Sequence, residues 1–365
     1  MLVPVITWRR PPGWAARLTA AGMVRLGLIA TTGGSAAPWC TIMVSSCESL
    51  RDAVESLPPA STICLEPGTY VADLAIRTDL TLRGSGGPHQ VVLVGRGEED
   101  EPAIEFAADY RSVLRVFLEN LTVTGAVGEE GKPGRRSGHG LLIGPDIHVL
   151  LRNGECSESD GAGLYLEEEA SAVAYECEFG ENRFGAFFDT AAGGRFDECG
   201  FPTNEVVIGL GKDCQLLLTR WRIEDNTEIG VLIGESPAML YDCELIGNGW
   251  GILLASTNDA SARLRTTRCA VKGNRNIGMA LLTAECYSPE VPEVASALIS
   301  GGWNEIPGPD EENGNAGGAL LGISGRSVAR GLRQEAVGVE TASPRLRDVA
   351  GKLTHGPRRW RDDRS

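Results

Sequence analysis

The chain has 365 residues, 47 of them Gly, with only 6% aromatic side chains and a formal net charge of −15. That excess of acid argues against nucleic acid or an anionic membrane surface as the main partner, because both are held by a basic face; a polyanionic ligand would need a bridging cation. No run of about 18 apolar residues is present, so no transmembrane segment is expected, and the ten Cys contain no CxxC pair, which leaves zinc-knuckle and thioredoxin-like readings without support.

Residues 1–37 read as a leader. Arg9 and Arg10 precede a mildly apolar stretch from Leu18 to Ala30, interrupted by Arg25, and Ser35 to Ala37 has the small residues of a cleavage site. A weak signal peptide and a disordered leader both fit. A secreted or periplasmic location is favoured, and in an oxidising compartment Cys40 and Cys47 could pair. A short helix is expected over Ser49 to Leu57, with Ser49 as its N-cap and Pro58 and Pro59 as its stop.

From Cys177 onward one phrase returns. Cys177, Cys199, Trp221, Cys243 and Cys269 are each followed five residues later by Asn182, Asn204, Asn226, Asn248 and Asn274. A short apolar strand follows each Asn, opened by Gly185, Val207, Gly230, Gly251 or Gly278, and Gly140 and Gly163 begin similar strands upstream. Repeats of this length, made of strands and turns without a 3.6-residue period, point to a β-solenoid. Each coil pairs its strands in parallel with the coils above and below, so like residues stack. Cys and the aliphatic residues then point inward. Asn suits a corner because it tolerates left-handed backbone geometry, and stacked amides can hydrogen-bond from coil to coil. Trp221 replaces Cys in one layer, which must widen locally unless Trp221 turns aside.

These features, with the entry segment SLRDAVESLPPASTICLEPGTYVADLAIRTDLTLRGSG from Ser49 and the early coil VFLENLTVTG from Val116, resemble right-handed parallel β-helix proteins of the pectin-lyase-like superfamily. The resemblance covers roughly residues 48–300 and implies an all-β parallel β-helix capped by the N-terminal helix, read here as running over residues 48–325; residues 326–365 read as an Arg-rich tail that is either a helical cap or disordered. It specifies fold far more than activity, since this fold carries lyases, hydrolases, esterases, epimerases and non-enzymatic proteins.

Candidate sites follow from the stacking. Polygalacturonases of the resembled superfamily carry a tripeptide like Gly138-His139-Gly140, but the accompanying Asp motifs are absent, so His139 is a catalytic candidate whose simpler reading is a corner residue. The stretch from Phe187 has a faint likeness to pectinesterase, yet Ala186 stands where the catalytic Asp would be. Glu167 and Asp189 each follow a strand Gly by four and should stack at one corner, with Asp146 near them in the same register. Such oxygen-rich groups suit Ca²⁺, and the resemblance to polysaccharide lyases of this fold implies an Arg or Lys as proton-abstracting base, for which Arg195 is the nominee. A solvated acidic corner is the plainer alternative. The residues preceding each repeat Cys or Trp, namely Glu176, Glu198, Arg220, Asp242 and Arg268, should form an ion-pair ladder with Arg220 between two carboxylates. Leu142, Tyr165, Phe187, Gly209, Leu232, Leu253 and Ala280 should form an outward apolar row. Such a row needs cover by the C-terminal tail, a protein partner, or sugar rings stacked on Tyr165 and Phe187.

Three functions therefore stay open: a non-catalytic carbohydrate- or surface-binding module, ranked first; a lyase, hydrolase or epimerase acting on uronic-acid-containing glycans; and a structural or assembly protein using the apolar row.

Overall fold

The computed structural model describes residues 40–96, 101–107, 114–127, 138–256, 263–283, 299–302, 304, 306 and 320–321. The leader over 1–37 and the tail over 326–365 lie outside these residues. The described chain winds as a right-handed parallel β-solenoid of about nine turns with one short helix near its start.

A single coil shows the construction. Ser171–Tyr175, Glu178–Gly180 and Phe184–Phe188 are three short strands separated by tight corners. The next coil repeats them at Gly193–Asp197, at an isolated bridge through Gly200, and at Val206–Leu210. Equivalent strands pair in parallel, so Val173 lies opposite Arg195, and Arg195 opposite Leu217. Three sheets result. Sheet I has eleven strands and sheet II ten. Sheet III runs as blocks of five and three, and Gly200 bridges both Glu178 and Arg222 between them.

Strand alternation fills the interior. In sheet I, Ala172 and Ala174 are buried while Ser171, Val173 and Tyr175 face outward. The Cys column is buried as expected. Trp221 sits in that column, only 1% exposed. Its indole stacks on Phe201 at 4.4 Å and meets Phe196 edge-on at 5.3 Å. Small neighbours make the room: Cys199 and Cys243 flank Trp221 in the column, and at Gly194 a Cβ would come within 2.4 Å of Phe188. The layer thus accommodates Trp221 by pairing a large aromatic cluster with small residues.

The five asparagines do stack, fully or nearly buried, along one corner. Each backbone N–H donates to the next Asn Oδ1, from Asn182 to Asn204 at 3.0 Å, Asn204 to Asn226 at 2.8 Å, Asn226 to Asn248 at 3.2 Å and Asn248 to Asn274 at 3.0 Å. Ser159 extends the file by donating to Asn182 Oδ1. The left-handed residue, however, is the one before each Asn: Glu181, Thr203, Asp225, Gly247 and Gly273 all have positive φ. The corner is split between two residues because the amide must turn inward to reach the neighbouring coil, leaving the backbone reversal to its predecessor. The strand Gly follows from the same ladder. At Gly163 a Cβ would lie 2.8 Å from Asn182 Nδ2, and at Gly251 it would lie 2.3 Å from the Gly278 carbonyl.

The other two corners use the same device. The charge column Glu176, Glu198, Arg220, Asp242 and Arg268 is left-handed throughout, as are Asn120 and Asn153 two and one coils upstream of Glu176. Asn153 Nδ2 donates to Asn120 Oδ1 at 2.7 Å, a short second ladder that the repeat pattern did not reveal. Pairing along the column differs from expectation. Arg220 holds Glu198 at 2.8 Å and Asp197 at 2.8 Å, while Asp242 is taken by Arg268. Asp197 lies on the outer face of the strand that leads into this corner, so it offers Arg220 a nearer second carboxylate than the next coil does.

Helix α1 spans Cys47–Ser56, two residues earlier than expected at its start. Ser49 therefore lies in the first turn and does not cap it; Leu50 N–H bonds the Ser46 carbonyl. Leu50, Ala53 and Val54 are buried in the main core, so α1 closes the first coil. Arg51 ties it to Asp73 at 2.8 Å. Cys40 is disulfide-bonded to Cys64, with Cα atoms 5.7 Å apart, and Cys47 is a free thiol that accepts the Val71 N–H. The expected Cys40–Cys47 pair fails because strand Ile42–Val44 pairs in parallel with Ser61–Leu65 and brings Cys64 to Cys40, whereas Cys47 is carried away into α1.

Candidate ligand-binding face

Sheet II buries most of its outer face, with Glu105, in register with Leu142, half-buried on it. Strands Ala162–Leu166, Val206–Leu210 and Ile229–Ile233 are buried at every position. In-register pairing does align Leu142, Tyr165, Phe187, Gly209, Leu232, Leu253 and Ala280. A second apolar row lies beside it. The strand Gly breaks the alternation, so Val206, Ile229 and Trp250 cluster with Leu232 and Leu253, apart from the main core. Leu142, Leu232, Leu253 and Ala280 are fully buried within the single chain. Tyr165 is 8% exposed and stacks between His139 at 4.4 Å and Phe187 at 5.2 Å. The tail that the sequence suggests as cover lies outside the described residues.

His139 is buried against Tyr165, and its Nδ1 accepts the Ala162 N–H at 2.9 Å. Glu167 and Asp189 stack on successive coils as expected, each N–H bonding the strand-end carbonyl of the coil before. Asp146 is out of that register. It occupies the left-handed corner two residues further on, in line with Glu169 and Ala191. Among the described residues no three Asp, Glu, His or Cys converge on a point where they could hold a metal ion. Arg195 stands apart from these carboxylates, exposed at the middle of a sheet I strand.

Sheet I is where polar chemistry reaches solvent. Its outer central row runs Phe117, Leu150, Val173, Arg195, Leu217, Met239 and Arg265, with the apolar members half-buried and the two Arg exposed. A flanking row carries Arg83, Glu119, Arg152, Tyr175, Asp197, Thr219 and Tyr241. The other flanking row carries Arg115, His148, Ser171, Gly193, Gln215, Pro237 and Arg263. Among the described residues this face carries Glu119 and Asp197, both occupied, and Asp79 at its edge, whose Oδ1 accepts the Arg115 N–H. Glu119 takes Arg83, with Arg152 at 3.8 Å, and Asp197 takes Arg220. The guanidinium groups of Arg115, Arg195, Arg263 and Arg265 have no carboxylate partner among the described residues. Tyr241, 38% exposed, lies under the Arg268 guanidinium at 4.3 Å. The acids concentrate elsewhere: sheet III turns Glu155, Glu178, Glu224 and Glu244 outward.

Along the edge of sheet I, His148 Nδ1 hydrogen-bonds Ser171 Oγ. Burial and the Arg115 cation hold the His148 pKa below the usual imidazole value, against a smaller opposite pull from Asp146. Burial pushes the Cys214 thiol up to about 12, which makes it a poor nucleophile by comparison.

Sequence reasoning nominated Arg195 but missed the face it belongs to. Its members are spaced by whole coils of unequal length, so only the register brings them together.

Residues 111–288 match the family described as right handed beta helix region. No curated protein sequence matches the chain. Among solved structures it is similar to the tailspike protein gp49 of Acinetobacter baumannii bacteriophage Fri1, a capsular polysaccharide depolymerase, at 12% identity and a TM-score of 0.47, over 78% of this chain and 57% of that one. It is similar to an alginate lyase from Paenibacillus sp. str. FPU-7 at 12% identity and 0.41, over 78% and 97%, and to the pectin methylesterase from Aspergillus niger at 12% and 0.41, over 78% and 87%. The chain thus spans little more than half of the tailspike's length, and at these identities the likeness is one of fold. The stacked corners, the register of all three sheets and the matched region agree that the chain is a right-handed parallel β-helix repeat protein.

Proposed function

We propose that the outer face of sheet I binds an extended acidic polysaccharide. The observation that carries this reading is a set of guanidinium groups with no carboxylate partner among the described residues, Arg115, Arg195, Arg263 and Arg265, on one face of a chain whose net charge is −15. Guanidinium groups recognise carboxylate and sulfate well because their donors form a planar fork. Half-buried Phe117, Leu150, Leu217 and Met239 supply apolar surface between the cations, suited to the C–H faces of sugar rings. One coil advances about 4.8 Å, close to the length of one sugar unit, so the rungs offer a repeating surface to a repeating polymer. No bridging cation is required, because the face itself is basic.

Calorimetric titration of polygalacturonate, alginate and neutral dextran into the parent and an Arg195→Ala/Arg265→Ala variant tests this. The expected result is binding of the acidic polymers alone, weakened tenfold or more in the variant and by added salt. Equal affinity in parent and variant, or no binding of any acidic polymer, overturns it. Ultraviolet absorbance from an unsaturated uronate product in the same samples would separate a lyase from a binding module.

A further inference from the structure

We propose that Ser171 and His148 form a nucleophile–base dyad that cleaves O-acyl esters on the outer face of sheet I. His148 and Ser171 are direct partners on adjacent strands. Their neighbours Val149, Leu151, Ala172 and Ala174 turn into the core, so both reactive side chains face outward. The imidazole and hydroxyl are in hydrogen-bond contact, the geometry that a base needs to activate a serine. The other described imidazoles are differently engaged: His139 accepts a backbone N–H, and His89 meets Glu155.

The surroundings leave room for a substrate. The partner of Ser171 on the next coil is Gly193. A Cβ built there would meet nothing nearer than 3.9 Å, so no side chain crowds the hydroxyl from that side. On the previous coil the partner of His148 is Arg115, exposed, with its backbone N–H fixed by Asp79 Oδ1 at 2.8 Å. Its guanidinium is a cation on the same row, suited to charge developing on an acyl oxygen.

The chemistry balances with water alone. In the tautomer protonated at Nε2, His148 Nδ1 accepts the Ser171 proton as Oγ attacks the ester carbonyl carbon. The bond from that carbon to the alcohol oxygen breaks, and the alcohol leaves with the proton held on His148. Water then adds to the acyl-serine, giving its proton to His148, and the carboxylic acid departs as Oγ recovers a proton. The sum is ester plus water to acid plus alcohol. The dyad rests on the binding reading only for what carries the ester, an O-acylated acidic glycan, and small probes test it separately.

The full-length protein is treated with a fluorophosphonate–biotin probe and, separately, with p-nitrophenyl acetate. One label per chain, mapped to Ser171 by peptide mass, is expected. Labelling should vanish in Ser171→Ala and slow at least tenfold in His148→Gln, and both variants should lose at least tenfold of the p-nitrophenyl acetate hydrolysis. Circular dichroism and thermal melts confirm that the variants fold; Ser171→Thr, which keeps a hydroxyl on a strand, should label faster than Ser171→Ala. Failure of the parent to label at Ser171, or labelling of His148→Gln at the parent rate, overturns the proposal. A parent that labels at Ser171 but ignores acidic polysaccharides would sink the binding reading and leave the dyad standing.

Discussion

Asn204 donates its backbone N–H to Oδ1 of Asn226 on the next coil at 2.8 Å, and neither residue is exposed to solvent. Asn226 in turn donates through Nδ2 to the Glu224 carbonyl and to Asn248 Oδ1. Asn226→Ala leaves a buried donor and acceptors without partners. A loss of about 2 to 4 kcal/mol is expected, since each buried unsatisfied group costs roughly 1 to 3 kcal/mol. Guanidinium denaturation followed by circular dichroism checks it; a change under 1 kcal/mol would mean the ladder adds little to stability.

The residue before the amide tells the opposite story. Glu181 is held at φ 57°, which costs a side-chain-bearing residue about 1 to 2 kcal/mol. Glycine there gives back roughly 0.5 to 1 kcal/mol in unfolded-state entropy. Glu181→Gly is therefore expected to stabilise by about 0.5 to 1 kcal/mol, read as a higher denaturation midpoint with unchanged slope.

The Cys40–Cys64 bond spans 24 residues. Closing a loop of that size is worth about 3 kcal/mol in the chain-entropy treatment. Cys40→Ser should melt earlier than the parent without reductant and match it with reductant. Equal melting in both conditions would show that the thiols are not joined in solution.

Stability should also respond to His148. Its folded pKa lies below the unfolded value of 6.5, so the unfolded chain binds more protons in the interval between them. The contribution is complete above pH 6.5 and is lost as pH falls through the folded value. Melting temperatures from pH 7.5 to pH 5 should drop further in the parent than in His148→Gln. Parallel curves would count against a depressed imidazole.

The coils were legible because burial and hydrogen bonding together restrict one corner position to Asn, so spacing alone exposed Asn182 through Asn274. Left-handed geometry was assigned to the wrong neighbour because that position demands a backbone conformation and no residue type; Glu181, Thr203 and Asp225 share no side chain. The outward row through Tyr165 was read correctly in register. Its companion through Val206 and Ile229 was hidden, because the strand Gly brings two non-alternating positions to one side. Cys64 as the partner of Cys40, and Asp197 as a partner of Arg220, depend on which strands lie side by side. The basic face was invisible for the same reason: Arg195 and Arg265 are 70 residues apart in sequence but only three rungs apart in sheet I.

From Cys177 to Cys243 the period is a constant 22 residues, with the same corners each time. Duplicating or excising one such period would slide every downstream rung by a single strand spacing, about 4.8 Å, without rotating any row off its side. The reach of the molecule along its winding axis is therefore counted in whole steps, and a genetic duplication of 66 nucleotides would lengthen it by one.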